Sequence, residues 1–422
     1  MKKLSLGLLC LAAVSQANAQ SDEASSANQN SISLEERITS LESELASLKA
    51  DTEADNKWLN VGGRLQIDFN AFDGAYNAEN DGATATKLFP RRARISVDGE
   101  RGDFEYKMIL EFADETAEIL LLRFEYHGFE NGPTIKFGKI REDISLAALS
   151  SSKHLALIER SSVANTMSPY FRWGVAASQY FESTGLRYAF GVHKNDAFSA
   201  SGSDEDGAMT LAYTGRLTWN TPLADGQLVH LGGWGSYREF GGDELGARFA
   251  RAGIREPNTR LVDYAAGGEQ VALDHLSQYG LEAAYQHDSL LVQSEYAVRD
   301  IATQNPASIL DGESYQGYYV EASYMLTGET KEYKAGAGRF NQPKGVADAW
   351  EIAARASSMD ATSEFQGTKA ESYTLGVSYY IDTDTKIMLN GVHSKVSGPG
   401  TAALVGNETS GNALTARFHY DF

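Results

Sequence analysis

The sequence predicts an all-β chain: a transmembrane antiparallel β-barrel of about 16 strands with a short N-terminal coiled-coil helix. Three observations lead there. The chain starts with an export signal, alternating strands run to its last residue, and it is rich in aromatics and glycine without a long apolar helix.

Lys2 and Lys3 precede an apolar run from Leu4 to Val14, and Ala17-Asn18-Ala19 offers a small-x-small cleavage site before Gln20. That order is a secretory signal peptide over residues 1–19. Its apolar run is too short to span a bilayer as a helix, which takes roughly 20 residues. Cys10 is the single cysteine and lies inside the signal. The mature chain therefore forms no disulfide and no thiolate metal site.

Residues 20–56 read as a periplasmic linker and short coiled coil. Gln20 to Ser31 is rich in Ser, Asn and Ala, a composition that does not build a core. Leu34, Ile38, Leu41, Leu45 and Leu48 then recur at spacings of 4, 3, 4 and 3, a two-heptad seam. Two heptads are marginal alone. The seam is expected either to join copies that the barrel brings together or to lie as a surface helix on another domain.

Residues 57–422 carry the barrel. Arg64, Gln66, Asp68 and Asn70 alternate with Leu65, Ile67 and Phe69, and Arg92, Arg94, Ser96 and Asp98 with Ala93, Ile95 and Val97. Glu105, Lys107 and Glu111 oppose Phe104, Tyr106, Met108, Leu110 and Phe112. Later, Arg187 and Arg216 sit between apolar or small neighbours, and Tyr373, Leu375, Val377, Tyr379 and Ile381 mark one apolar face. Period two makes one polar and one apolar face per strand. With 21 Tyr, 18 Phe and 40 Gly, the composition suits aromatic girdles on many strands. Without helices to span it, a bilayer admits only a closed barrel. A barrel of about sixteen strands is wide enough for an aqueous channel. The glycine-rich stretches Gly241 to Pro257 and Gly398 to Ser410 read as outer loops. The end of the chain alternates again, and Phe418, Tyr420 and Phe422 form a closing-strand signal of the kind read by barrel assembly machinery.

The net charge is −20, and residues 20–56 hold nine acids against Arg37 and Lys49. Such acidity argues against nucleic acid as a partner and does not report the sign inside a pore.

One stretch is more specific. Val61-Gly62-Gly63-Arg64-Leu65-Gln66-Ile67-Asp68, Pro90-Arg91-Arg92-Ala93-Arg94, Phe137-Gly138-Lys139, Leu149-Ser150-Ser151-Ser152-Lys153 and Ile158-Glu159-Arg160-Ser161 follow one another in this order. Together they resemble the phosphate-selective porin O and P family over residues 58 to about 180. The resemblance implies a sixteen-stranded barrel, a homotrimer, and a constriction lined by arginines and a loop lysine. On this sequence those positions are Arg64, Arg91, Arg92, Arg94 and Lys153; Arg94 stands where the family pattern has an aromatic hydroxyl.

The residues themselves suit an anion filter. Guanidinium stays charged and pairs with oxyanions through a planar fork. Arg64, Arg92 and Arg94 lie on polar strand faces, while Arg91 has the opposite parity and is expected in a turn made by Pro90. Lys153 falls in Glu142 to Ser168, a stretch without alternation and hence a loop folded into the barrel. The alternative is that these cations solvate the lumen wall and pair with Asp68, Asp98, Glu105 and Glu111.

The function expected is passive diffusion of small anions such as phosphate, or other small hydrophilic solutes, through an outer-membrane channel embedded in lipid. A tether between membrane and cell envelope, made through the N-terminal helix, is the alternative. No cofactor is implied. Six scattered histidines, His127, His193, His230, His275, His287 and His419, lack a Ser-centred motif and do not suggest an enzyme.

Overall fold

Strand after strand of alternating residues leaves two open edges unless the sheet closes on itself. In the computed structural model it closes. The structure describes residues 58–113, 116–200 and 209–422, together with Thr39 and Ser43. The signal peptide and almost all of the linker and coiled-coil seam lie outside the described residues.

The strands are β1 (Asn60–Phe72), β2 (Ala85–Arg101), β3 (Phe104–Glu111), β4 (Glu118–Tyr126), β5 (Thr134–Arg141), β6 (Phe171–Phe181), β7 (Leu186–Lys194), β8 (Leu211–Ala224), β9 (Gln227–Glu239), β10 (Arg248–Ala250), β11 (Val262–Asp263), β12 (Leu273–His287), β13 (Leu290–Thr303), β14 (Ser314–Met325), β15 (Glu332–Lys334), β16 (Arg339–Asn341), β17 (Ala349–Asp360), β18 (Lys369–Tyr380), β19 (Thr385–Ser397) and β20 (Ser410–Asp421). Sixteen of them form a closed antiparallel barrel in chain order, and the pairs β10–β11 and β15–β16 are small hairpins outside it. Among the described residues from 58 onward, three short α-helices are α1 (Leu146–Leu149), α2 (Ser162–Met167) and α3 (Thr401–Val405).

β20 closes the barrel against β1, with Arg64 opposite Asp421 and Ile67 opposite Phe418. The Gly63 N–H donates to the Phe422 oxygen at 2.9 Å, and the Phe422 N–H returns to Gly63 at 3.2 Å. Leu414, Phe418, Tyr420 and Phe422 point outward, and Thr415, Arg417, His419 and Asp421 point into the lumen. The alternation read from the sequence therefore sets the two faces.

Outward faces repeat a simple order. Tyr279, Leu281, Ala283 and Tyr285 follow on β12; Tyr318, Val320, Ala322 and Tyr324 on β14; Tyr373, Leu375, Val377 and Tyr379 on β18. Aromatics bracket aliphatics over seven residues, six steps and roughly 20 Å of strand. This is an apolar band between two aromatic girdles, the exterior that a lipid hydrocarbon layer requires.

The packed core sits inside the barrel. At the end away from the termini, the connection 240–272 folds inward and buries Phe249, Ile254, Leu261 and Tyr264 against Val163 and Met167 of α2. Gly241 to Pro257 is thus a plug segment and not an exposed outer loop. The Tyr76 hydroxyl donates to the Ala252 carbonyl at 2.5 Å, and the Asn70 amide to the Glu256 carbonyl at 2.7 Å. From the terminus end, the connection 326–348 also turns inward. Its Gly338 has φ +56°, and a Cβ there would lie 3.0 Å from an Arg216 guanidinium nitrogen, so only glycine fits the close approach.

Phe422 is exposed on the apolar band beside Tyr420, with ring centroids 6.0 Å apart. Replacing it with Asp is expected to place a charge in the band and weaken closure of β20 on β1. Heat-modifiable mobility of the refolded protein reads this directly, and an undiminished folded fraction would remove Phe422 from barrel closure.

Candidate functional site

A sixteen-stranded wall encloses more space than a small ion needs, so the segment between β5 and β6 decides the bore. Glu142 to Tyr170 crosses the lumen as one inward loop carrying α1 and α2. Its caps are local: the Ser145 hydroxyl accepts from Ala148 N at 3.1 Å, and the Ser161 hydroxyl from Ala164 N at 3.2 Å. Buried backbone of this kind must find partners. They come from the wall.

Arg238 pairs with Glu142, and Arg187 grips Asp143 through two bonds at 2.9 and 2.6 Å, joined by Arg216 at 3.1 Å. Both carboxylate oxygens of Glu295 accept from the first N–H groups of α1, Leu146 at 3.0 Å and Ala147 at 2.8 Å. Lys386 donates to Leu155 O at 3.0 Å, Arg417 to Ile158 O at 2.7 Å and Arg299 to Thr166 O at 2.5 Å. Burial alone would raise the Asp143 carboxyl, but Arg187 and Arg216 outweigh it and hold it below the usual carboxylate range. Burial is likewise overcome at Glu159, which Arg91 and Arg417 keep well below that range.

The loop is thus fastened to β7, β8, β9, β13, β19 and β20. A cavity of 580 Å³ remains on the other side, lined mainly by β1 to β7, the loop tip Ser151 to His154 and Arg339. Nine basic against five acidic side chains face it. The field is positive although the chain as a whole is strongly acidic. At the tip, burial and then Lys153, Lys386, Arg339 and Arg64 push the His154 imidazole down to about 2.

Three expected constriction residues meet in this cavity: Arg64, Arg94 and Lys153. Arg64 donates to the Ser152 hydroxyl and to Asp421, both at 2.7 Å; Lys153 Nζ stands 3.3 Å from the other Asp421 oxygen. Arg94 is held by Glu111 at 2.5 Å. The other two, Arg91 and Arg92, lie farther along β2. The Pro90 turn expected for Arg91 is instead a β-bulge: Gln66 pairs with Arg92 and Ile67 with Pro90, which leaves Arg91 as the extra residue. A bulge re-aims a side chain, and so two consecutive arginines both reach inward. Arg91 forks onto Glu159 at 2.8 and 3.2 Å. Arg92 is buried, donates to Gln66 at 2.5 Å, leaves its Nε without a partner, and has no carboxylate ion pair among the described residues.

The family model for phosphate-selective porin O and P matches residues 59–422. The chain belongs to that family. Porin O of Pseudomonas aeruginosa is 26% identical over 402 residues, covering 86% of this chain and 88% of that protein. Solved structures share the fold at low identity. An anion-selective porin from Comamonas acidovorans is 11% identical with a TM-score of 0.55, covering 86% of this chain and 99% of its own. The trimer form of OmpT from Vibrio cholerae is 12% identical with a TM-score of 0.53 and the same coverages. This protein is an outer-membrane porin, a channel protein by its family.

Several residues of the porin's lumen escaped the sequence reading. Arg248, Arg251, Arg255 and Arg260 lie on the inward connection 240–272, and none makes a carboxylate ion pair among the described residues. Burial, then repulsion from Arg255 and Arg260, lowers the Arg251 guanidinium to about 9, and Glu159 and Arg91 lie in the same field. Of these, Arg251 lies close enough to Arg91 to feel its charge. Arg339 arrives from the opposite connection and donates to Leu149 O at 2.6 Å. Of the wall acids expected to pair with the constriction cations, Glu111 takes Arg94, whereas Asp68, Asp98 and Glu105 are taken by Arg417, Lys107 and Arg123.

Arg417 holds Asp68 through two bonds of 2.7 Å, Glu159 at 3.1 Å and the loop carbonyl of Ile158. Breaking a buried pair costs about 3–5 kcal/mol. Arg417→Met is therefore expected to keep a heat-modifiable barrel whose loop 142–170 becomes protease-cleavable and whose single-channel current grows noisier. An uncleavable loop and an unchanged current would show that Arg417 does not anchor it.

Proposed function

We propose that this porin passes small oxyanions of the phosphate class by passive diffusion, with Arg64, Arg91, Arg92, Arg94 and Lys153 as its constriction cations. The observation that carries this reading is Arg92, a buried guanidinium without a carboxylate ion pair among the described residues. Neighbouring Arg91, Arg94 and Arg417 add to its positive field, which Glu159 offsets in part. A passing oxyanion offers the countercharge that the wall does not, and the guanidinium fork matches two of its oxygens. Charge in a narrow zone acts on permeating ions, while charge at a wide mouth is screened within about 8 Å at physiological salt. The description of the family, phosphate-selective porin O and P, and the name of the Comamonas anion-selective porin agree with this direction.

The termini end of the barrel then faces the periplasm. Residues 20–56, left after removal of residues 1–19, are then a periplasmic segment, and Phe418, Tyr420 and Phe422 present the assembly signal to the barrel assembly machinery. A homotrimer is favoured by the outward aromatic faces of β3 to β5, where Phe104 packs on Tyr126 at 5.0 Å and Phe124 stacks on Phe137 at 5.2 Å.

Reversal potential under a potassium chloride gradient tests the reading. The parent channel is expected to be anion-selective, with chloride current blocked by added phosphate. Arg92→Glu and Lys153→Glu should shift reversal toward potassium and raise the half-blocking phosphate concentration on the order of tenfold. Arg251→Glu should act in the same direction, since it lines the path to Arg91. Unchanged selectivity in all three would assign these cations to structure alone.

A further inference from the structure

Asp421 stands where the acid count and the cation count of the constriction meet. It lies opposite Arg64 in the closing pair of β20 and β1. Its Oδ1 accepts from Arg64 Nε at 2.7 Å. Its Oδ2 faces Lys153 Nζ at 3.3 Å and His419 Nε2 at 3.6 Å, and accepts no hydrogen bond of good geometry among the described residues. Around it are the Ser152 hydroxyl on Arg64, Lys386 on the neighbouring strand and the Asp384 carbonyl, which accepts from the Asp421 N–H at 2.8 Å.

The other acids at the constriction have structural work besides charge. Glu111 also accepts from the Ala93 N–H at 2.9 Å, and Glu159 ties Arg91 on β2 to Arg417 on β20. Asp421 fastens no loop backbone. What it touches is the pair of cations that face the cavity, one on the wall and one at the loop tip, and Lys153 is the more exposed of the two, at 36%. A carboxylate presents two oxygens to a guanidinium and an ammonium much as a phosphate edge does.

We propose that the Asp421 carboxylate is a built-in competitor for the permeating oxyanion: it occupies the Arg64–Lys153 site at rest and is displaced by each anion that passes. This rests on the oxyanion-channel reading above and adds its regulation. Conduction needs binding strong enough to admit an ion and weak enough to release it. A tethered carboxylate supplies the second condition, because it recaptures both cations as the anion leaves. The exchange breaks no covalent bond. One anion replaces another on the same donors.

The test is Asp421→Asn in planar bilayers, compared with the parent over a phosphate titration of chloride current. The half-blocking phosphate concentration should fall on the order of tenfold, since a full negative charge beside the bound anion is gone. Individual blocks should lengthen and reversal should move further toward chloride. Asp421 adjoins the terminal Phe422, so folding is checked by heat-modifiable mobility. Asp421→Ser, refolded in detergent without cellular assembly, gives the same measurement where export of the first variant fails. Equal half-block and equal reversal in a folded variant, or a shift toward cations, overturns the competitor role and leaves Asp421 a strand-end ion pair. An anion-selective parent with an unresponsive variant sinks only this inference; a parent without anion selectivity sinks the channel reading beneath it.

Discussion

Everything in the lumen depends on how the loop 142–170 is held. Its backbone crosses a space that would otherwise be water, and its carbonyls and N–H groups need fixed partners. Wall side chains provide them: Arg187 and Arg216 at Asp143, Glu295 at the start of α1, Lys386, Arg417 and Arg299 at successive carbonyls. These cations are buried and committed. They make the bore narrow without contributing free charge to it. The loop docks on one side of the barrel, and the water-filled crescent is left on the other.

That division explains an acidic protein with a basic channel. A net charge of −20 describes the whole chain, whereas permeating ions meet the lining of one crescent. Interior charge there lies close to the ion and is weakly screened; charge on loops beyond a Debye length is not felt. The strands behind the crescent, β3 to β5, are also short, at eight or nine residues, against twelve to fifteen for β12 to β20 of the barrel wall.

The wall was legible in the sequence because strand periodicity is local. Arg64, Asp68 and Arg417 point inward, and Ile67, Leu375 and Phe418 outward, as alternation requires. The loop carrying Lys153 was legible as a break in that pattern. Arg91 was half legible: Pro90 marks an irregularity, but a turn and a bulge share that signal, and only pairing with β1 separates them. The inward course of 240–272 left no local mark. Its glycines and charges read as an exposed loop, and its burial depends on Tyr76, α2 and Tyr315, all distant in sequence.

The two inward connections then explain why so few cations remain free at the bore. Arg187 donates to Gly336 O at 2.9 Å and Arg216 to Gly338 O at 2.7 Å, while both also grip Asp143 of the loop. A guanidinium has five N–H donors, enough to bind a carboxylate and a backbone carbonyl together. Each of these arginines therefore joins the segment from one end of the barrel to the segment from the other. Lysine, with a compact ammonium and no fork, could not hold both in fixed directions. Arginine is thus favoured in this lumen for fastening. Loop carbonyls and carboxylates mark the fasteners, whereas Arg92, with one bond to Gln66 and its Nε without a partner, is not one of them.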